Sequence, residues 1–140
     1  MTLFFTEIMV FLLGCATTVI PTPAGIRNDM GAVIRDVSVN RGALDGLKKR
    51  RIGKSGFYYV IDLDGKVVFH PQLALIGTSF SKIWFIDQLV AEKSGCLTYQ
   101  LGNRSYHVFF EPLNDSEILC FSIISDELNQ PAGCKAAQVR

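Results

Sequence analysis

The chain has 140 residues, of which 49% are hydrophobic, and its 14 basic and 13 acidic side chains leave a net charge of +1. This length indicates a single domain that is large enough to bury a sizeable core. The near balance of charge argues against nucleic acid as a partner, because proteins that bind nucleic acid carry an excess of basic residues.

The first 20 residues form an apolar leader that only Glu7 interrupts with a charge. Within it, Ile8–Ile20 has the length of the hydrophobic region of a secretory signal and is short for a membrane span, which needs about 20 residues. Leu12–Cys15 resembles a bacterial lipobox, in which the cysteine is lipidated after cleavage. The sequence therefore predicts export, with Cys15 as a candidate lipidation site that would attach the N-terminus to a membrane.

Other interpretations of the leader stay open, because no Lys or Arg precedes Arg27 and a standard signal begins with a basic segment. The leader would then be an apolar helix that packs on the protein, or part of a truncated membrane anchor. The segment Pro21–Pro23 separates it from the rest of the chain in each case.

A helical pattern begins at Ala24. Apolar residues recur there at spacings of three and four and form one stripe: Ile26, Met30, Val33, Ile34 and Val37. Asn40–Gly42 weakens the pattern and Leu44 and Leu47 restore it, which predicts one kinked helix or two helices in tandem.

The basic run Lys48–Arg51 follows this helical region. We interpret it as a solvated helix end, where cations complement the helix dipole. The alternative is contact with anionic lipid headgroups.

Two strands are predicted next, Phe57–Leu63 and Lys66–Phe69, joined at Asp64-Gly65. Asp-Gly between two apolar runs is a strong hairpin signal because both positions tolerate positive φ. Asp64 is interpreted as a turn residue. Asp62 is expected to accept hydrogen bonds at the end of the hairpin rather than to act as an acid or base.

The remaining elements alternate with short turns. We predict a loop over Gln72–Phe80 and a helix over Ser81–Lys93 that ends before Ser94-Gly95. Three further strands follow, and after them a loose tail (126–140). The strands are Cys96–Leu101, Tyr106–Glu111 and Glu117–Ser125.

The four cysteines are Cys15, Cys96, Cys120 and Cys134, and their spacing with His70 and His107 does not indicate a metal site. Cys96 and Cys120 would form a disulfide if their strands are neighbours and the compartment is oxidising. Buried free thiols are the interpretation that the usual behaviour of Cys favours.

The ordered pieces resemble the Cache family, the extracellular PAS-like sensor domains of bacterial and archaeal receptors. The resemblance covers Ile26–Ser125, and we predict a Cache-like domain at residues 24–125. It lies in the closing pair of strands and in five short motifs: G-F-Y-Y-V-I-D at Gly56–Asp62, D-G at Asp64-Gly65, H-P at His70-Pro71, I-G-x-x-F at Ile76–Phe80, and K-S-G at Lys93–Gly95. It implies an α+β fold in which a long N-terminal helix packs on a five-stranded antiparallel sheet. A short helix and loops would cover the other face.

The implied function is extracytoplasmic binding of a small organic molecule, such as a carboxylate, an amino acid or an amine, without chemistry. A receptor or kinase partner would read out the binding. No catalytic signature is visible: G-x-S-x-G, the P-loop and H-E-x-x-H do not occur. We therefore expect no enzyme activity, no cofactor and no metal.

Alternatives from other classes are a ligand-free structural or interaction module and a chemoreceptor fragment. A chemoreceptor or sensor kinase would continue into a second membrane helix and an output domain, and no such segments follow Ser125. On this expectation the chain alone would not carry a signal across a membrane.

Strand alternation puts Tyr59 on the same face of the first strand as Phe57 and Ile61, and Tyr106 on the same face of the fourth strand as Val108 and Phe110. In Cache domains the ligand lies on the side of the short helix and loops. The hypothesis is a pocket lined by Tyr59, His70, Trp84, Tyr99 and Tyr106. Tyrosine hydroxyls, the imidazole and the indole would supply polar contacts, and the ring faces would form an apolar wall.

Overall fold

The computed structural model describes residues 21–128 and 131–138 of the chain. Its two α-helices are α1 (Pro23–Val39) and α2 (Ile86–Glu92). Three short 3₁₀ helices cover Arg41–Lys48, Leu73–Leu75 and Ser125–Glu127. The strands are β1 (Phe57–Asp62), β2 (Val67–Phe69), β3 (Gly95–Leu101), β4 (Arg104–Asn114), β5 (Glu117–Ile124) and β6 (Lys135–Ala136). No helix in these described ranges is both long and apolar enough to cross a membrane. The apolar leader lies outside them.

The six strands form one sheet in the order β2-β1-β5-β4-β3-β6. The first five strands pair antiparallel, as predicted, and β6 pairs parallel with β3. The α+β class with a helix on the sheet is therefore confirmed, whereas the strand count was one too low.

Thr22 caps the N-terminus of helix α1, because its side chain accepts a hydrogen bond of 3.0 Å from the backbone N–H of Gly25. Proline at the first helical position needs no N–H partner. The helix ends at Asn40, which in turn caps the 3₁₀ helix through a 2.9 Å bond from the Gly42 N–H. The two helices are therefore in tandem, one of the two predicted arrangements.

The predicted stripe of α1 packs on one face of the sheet. Ile26, Met30, Val33 and Val37 are buried there together with Tyr58, Val60, Phe109 and Phe121 from the strands. The opposite face packs on α2 and carries Tyr59, Ile61, Tyr99, Val108, Phe110 and Cys120. The predicted alternation of β1 is correct, because its odd and even residues divide between these two faces.

The hairpin turn has another form than the sequence indicates. Gly65 has a φ of +82°, but Asp64 is not among the residues with positive φ. The Gly65 N–H donates to the Asp62 carbonyl at 3.1 Å, and the Asp62 N–H donates to the Lys66 carbonyl at 2.9 Å. Gly65 is thus the left-handed residue that follows a β-turn, as in three-residue hairpin loops. The carboxylate of Asp62 accepts from the backbone of Asp64 and Lys66, as predicted.

Helix α2 is shorter than the predicted Ser81–Lys93. The segment before it is held by the hairpin, since the Phe80 N–H donates to the Gly65 carbonyl at 2.7 Å. The helix stops at Lys93, whose φ of 63° is left-handed.

The tail and the cysteines differ from the expectations. Cys96 forms a disulfide with Cys134, at a Cα–Cα distance of 4.7 Å, and Cys120 is the free buried thiol of the described chain. A bridge from Cys96 to Cys120 is ruled out because β4 lies between their strands and the two side chains occupy opposite sheet faces. The tail is attached rather than loose over residues 131–138, through this disulfide and β6.

Candidate functional site

A pocket of about 390 Å³ opens at the end of β2, a volume suited to a small organic ligand. It is lined by Arg51, Phe57, His70, Pro71 and Gln72. We call this the His70 pocket. Three segments form it: the end of the basic run, the start of β1, and the loop that leaves β2.

His70 is 8% exposed and lies beside two aromatic rings of β1. Its ring centroid is 5.3 Å from that of Phe57 and 5.9 Å from that of Tyr59. Pro71 directly follows His70 and favours an extended backbone at it. The strand therefore delivers the imidazole to the pocket beside an apolar wall.

The tautomer of His70 follows from its backbone partner. The Gln72 N–H donates to Nδ1 of His70 at 2.9 Å, so Nδ1 acts as an acceptor. Burial lowers the pKa of His70, and the positive charge of Arg51 lowers it further. The neutral ring consequently carries its proton on Nε2. This N–H has no hydrogen-bond partner among the described residues and can donate to a ligand.

Arg51 brings the positive charge of the pocket. Its guanidinium donates to two nearby backbone carbonyls, that of Lys48 at 3.2 Å and that of Arg50 at 3.1 Å. No carboxylate of the described chain forms an ion pair with it. The pocket therefore offers an uncompensated cation and a neutral N–H donor against an aromatic wall, a combination suited to an organic anion.

The five residues predicted from the sequence lie on one side of the sheet, in two groups. Tyr59 is buried beside His70, and its hydroxyl lies near the Cys120 thiol. In the second group, Tyr99 and Tyr106 stack at 5.5 Å between ring centroids, and Trp84 packs edge-on against Phe85 at 5.9 Å.

The second group is closely packed. The Phe85 ring stacks on Tyr99 at 4.0 Å, and the Tyr99 hydroxyl is 3.0 Å from the Ser122 hydroxyl. Burial raises the pKa of both Tyr59 and Tyr99, which keeps their hydroxyls protonated. Of the five predicted residues, His70 alone lines the His70 pocket, and the ligand role of all five stays a prediction.

Sequence reasoning missed Arg51, Phe57 and Gln72. Phe57 had a detectable signal, because it shares a strand face with Tyr59. No sequence signal identified Arg51 as a pocket residue, because a basic run at a helix end is usually solvated. Gln72 acts through its backbone N–H, which residue type does not reveal.

A second opening of about 470 Å³ lies just before the start of β1 and is lined by Lys54, Ser55, Arg104, Ile124, Asp126 and Glu127. Its charges are mixed, and the Glu127 carboxylate already accepts the backbone N–H groups of Lys54 and Ser55. The His70 pocket is the better candidate for an anionic ligand because no acidic residue lines it, whereas Asp126 and Glu127 line the second opening.

Solved structures with this fold include sensor domains of chemoreceptors. The structure described as "Periplasmic sensor domain of chemotaxis protein" superposes with a TM-score of 0.57, at 16% identity, over 74% of this chain and 93% of its own. A methyl-accepting chemotaxis protein from Vibrio parahaemolyticus RIMD 2210633 gives a TM-score of 0.59, at 16% identity, over 72% and 87%. A third, described as showing carboxylic acid recognition by a Cache chemosensory domain, gives 0.49 at 15% identity over 74% and 86%.

These comparisons confirm the fold expected from the resemblance to Cache sensor domains. Identities this low show the shared fold alone. No protein-family model matches the sequence, and no curated protein matches it.

Proposed function

We propose that this chain is an extracytoplasmic sensor domain that binds a small carboxylate in the His70 pocket and does no chemistry on it. The observation that carries the proposal is that a guanidinium with no carboxylate partner among the described residues lies beside a neutral imidazole N–H at an aromatic wall. The fold supports it, because periplasmic sensor domains of chemotaxis proteins share it.

Each group has a distinct part in binding. The planar guanidinium of Arg51 matches the two oxygens of a carboxylate and donates to both. The Nε2–H of His70 adds a third donor, and the ring of Phe57 covers the apolar part of the ligand. An amine would meet the charge of Arg51 with no acid in the pocket lining, so we favour carboxylates over amines.

Tyr59 has a supporting part in this proposal. The centroid of its ring lies 5.9 Å from the ring centroids of both Phe57 and His70, so its packing holds these two rings in position at the pocket. Trp84, Tyr99 and Tyr106 are proposed to contact a ligand only if it extends along the sheet toward α2.

The proposed location is outside the cytoplasm, with the leader as the export signal or anchor. Lipidation of Cys15 is part of this proposal, and so is a receptor or kinase partner that reads the bound state. Replacing Cys15 by Ser in the native host should abolish acyl labelling and detergent partitioning, and unchanged partitioning would reject lipidation.

The test is a thermal-shift screen of the purified chain against small carboxylates, amino acids and amines. Binding to the folded state stabilises by about 2.7 kcal/mol at a hundredfold excess over the dissociation constant. We expect hits among carboxylates, and Arg51→Gln should abolish them. Lys49→Gln is the matched control, since Lys49 belongs to the same basic run but not to the pocket lining.

Loss of the shift in Arg51→Gln with retention in Lys49→Gln would support the proposal. A hit that both variants keep would place binding elsewhere. Absence of any hit would favour a ligand-free interaction module.

A further inference from the structure

Three potential metal ligands meet on the α1 side of the sheet, away from the His70 pocket. One ligand atom from each of Cys96, His107 and Cys134 lies within 4.8 Å of the others. They come from β3, β4 and the segment before β6, so no sequence spacing marks them. Two sulfurs and one imidazole nitrogen are a ligand set typical of zinc.

The strand pairing positions the imidazole. Thr98 is the direct partner of His107 across β3 and β4, and its hydroxyl lies 2.8 Å from Nδ1 of the ring. A hydrogen bond on one ring nitrogen fixes the orientation of the imidazole and leaves the other for a ligand, as around metal-bound histidines. Cys96 lies two residues before Thr98 and therefore on the same sheet face.

The sulfurs are bonded to each other in the structure, so a metal requires their reduction. A dithiol reductant supplies the two electrons and two protons: the Cys96–Cys134 bond breaks, two thiols form, and the reductant becomes a disulfide. Zinc then binds the two thiolates, and both thiol protons leave to solvent.

We propose that the reduced chain binds one Zn²⁺ through the thiolates of Cys96 and Cys134 and the imidazole of His107, with water as the fourth ligand. Cys134 and His107 are both partly exposed, so an ion and its water can reach the site from solvent. The same residues therefore form a disulfide in an oxidising environment and a zinc site in a reducing one.

Both the disulfide and the zinc-bound form connect the C-terminal segment to the sheet. Without both, β6 is held by weaker contacts, among them the 2.9 Å ion pair of Lys135 with Glu92 and the 2.8 Å bond from the Ala137 N–H to the Thr98 carbonyl. Zinc should therefore protect the C-terminal segment of the reduced chain from proteolysis. This proposal does not rest on the ligand proposed for the His70 pocket.

The experiment is a titration of the full chain with Co²⁺, a coloured substitute for zinc, after reduction by a dithiol and its removal without oxygen. We expect a thiolate-to-cobalt charge-transfer band that saturates at one ion per chain and that Zn²⁺ displaces. The oxidised chain should give no band. His107→Ala should weaken binding at least about tenfold, by analogy with losses seen around metal sites.

Two matched controls separate this site from Cys120 and His70, the other thiol and the other imidazole of the described residues. Cys120→Ser and His70→Ala should keep the band and its affinity, because Cys120 and His70 lie at the other sheet face. Cys134→Ser should lose the band.

An absent band in the wild-type chain, with all four cysteines confirmed as free thiols by thiol titration, would overturn the proposal. Unchanged affinity in His107→Ala would do the same. If reduction unfolds the chain, near-ultraviolet circular dichroism should recover on adding zinc, because binding and folding are coupled at such sites. Failure to recover would also reject the proposal.

Discussion

Gly65 has a backbone that other residues resist and also lies against a neighbouring segment. Its φ is +82°, and a Cβ there would lie 3.1 Å from the Ser81 nitrogen and 3.2 Å from Ile86 Cγ2. Asp-Gly in the sequence predicts the positive φ, but the contact with the segment before α2 is visible only in three dimensions.

Replacing Gly65 by Val should therefore cost more than about 2 kcal/mol of unfolding free energy, from backbone strain and overpacking together. Gly77→Val is the matched control: its φ is +88°, with nothing within 4 Å of a Cβ, so strain acts alone. Urea denaturation of both variants measures the difference. Equal losses of unfolding free energy would show that Ser81 and Ile86 move away from the new side chain without destabilising the protein.

His70 should also make stability depend on pH. Its pKa is lowered from 6.5 in the folded state, first by burial and then by Arg51, so the unfolded chain binds a proton more readily. Its contribution is complete above about pH 6.5 and falls as pH drops toward the folded pKa.

His70→Asn keeps an acceptor for the Gln72 N–H but does not titrate in this range. The variant should lose less stability than the wild type between about pH 7 and 5.5, a window set by the ordinary histidine pKa. Urea unfolding at both pH values measures the slope. The same slope in both proteins would mean that His70 does not titrate differently on folding.

At the scale of elements, Glu127 joins the end of β5 to the start of β1. Its carboxylate accepts the Lys54 N–H at 2.5 Å, the Ser55 N–H at 3.0 Å and the Ser55 hydroxyl. The same hydroxyl accepts the Ile124 N–H at 3.0 Å. Burial raises the pKa of Glu127, but these hydrogen bonds outweigh burial and leave the pKa below its ordinary value.

Glu127→Gln should cost about 1–3 kcal/mol, the range for hydrogen bonds to a charged group, reduced where water reaches the site. Asp126→Asn tests the neighbouring acid, which is exposed, and should change little. Thermal and urea unfolding compare the two. A neutral Glu127→Gln would show that the amide replaces the carboxylate fully.

The sequence predicts helices and strands well where a hydrophobic periodicity repeats several times along one continuous segment. The stripe of α1 and the alternation of β1 identify their buried faces because each repeats several times. The prediction of α2 was too long at its start: residues 81–85 form turns, and the hydrogen bond from the Phe80 N–H to the distant Gly65 carbonyl holds the preceding segment on the hairpin. Strand β6 has two residues and depends on the Cys96–Cys134 bridge, so no local pattern marks it.

At the scale of the whole molecule, Pro21, Thr22 and Pro23 belong to the described structure, although they precede the predicted domain boundary at Ala24. Pro21 and Pro23 are buried, and Thr22 caps α1. A chain that starts at Pro21 should fold, whereas one that starts at Ala24 should lose about 1 kcal/mol with the cap. Calorimetry compares the two. Aggregation of both would mean that the leader contributes to the core.

The fold was predictable because an ordered series of short motifs resembles Cache domains, although no single motif is specific. The candidate site was only partly predictable. His70 precedes a proline at a strand end, which is a visible signal, whereas the placement of Arg51 beside it depends on how the 3₁₀ helix meets β1.

The most direct test of the central claim is a ¹H–¹⁵N chemical-shift titration of the folded chain with a carboxylate hit from the screen. We predict that the largest changes fall on the amides of Phe57, His70 and Gln72 and on the Arg51 side chain, and that Arg51→Gln removes them. Changes centred on other residues, or unchanged spectra at saturating ligand, would contradict binding in the His70 pocket.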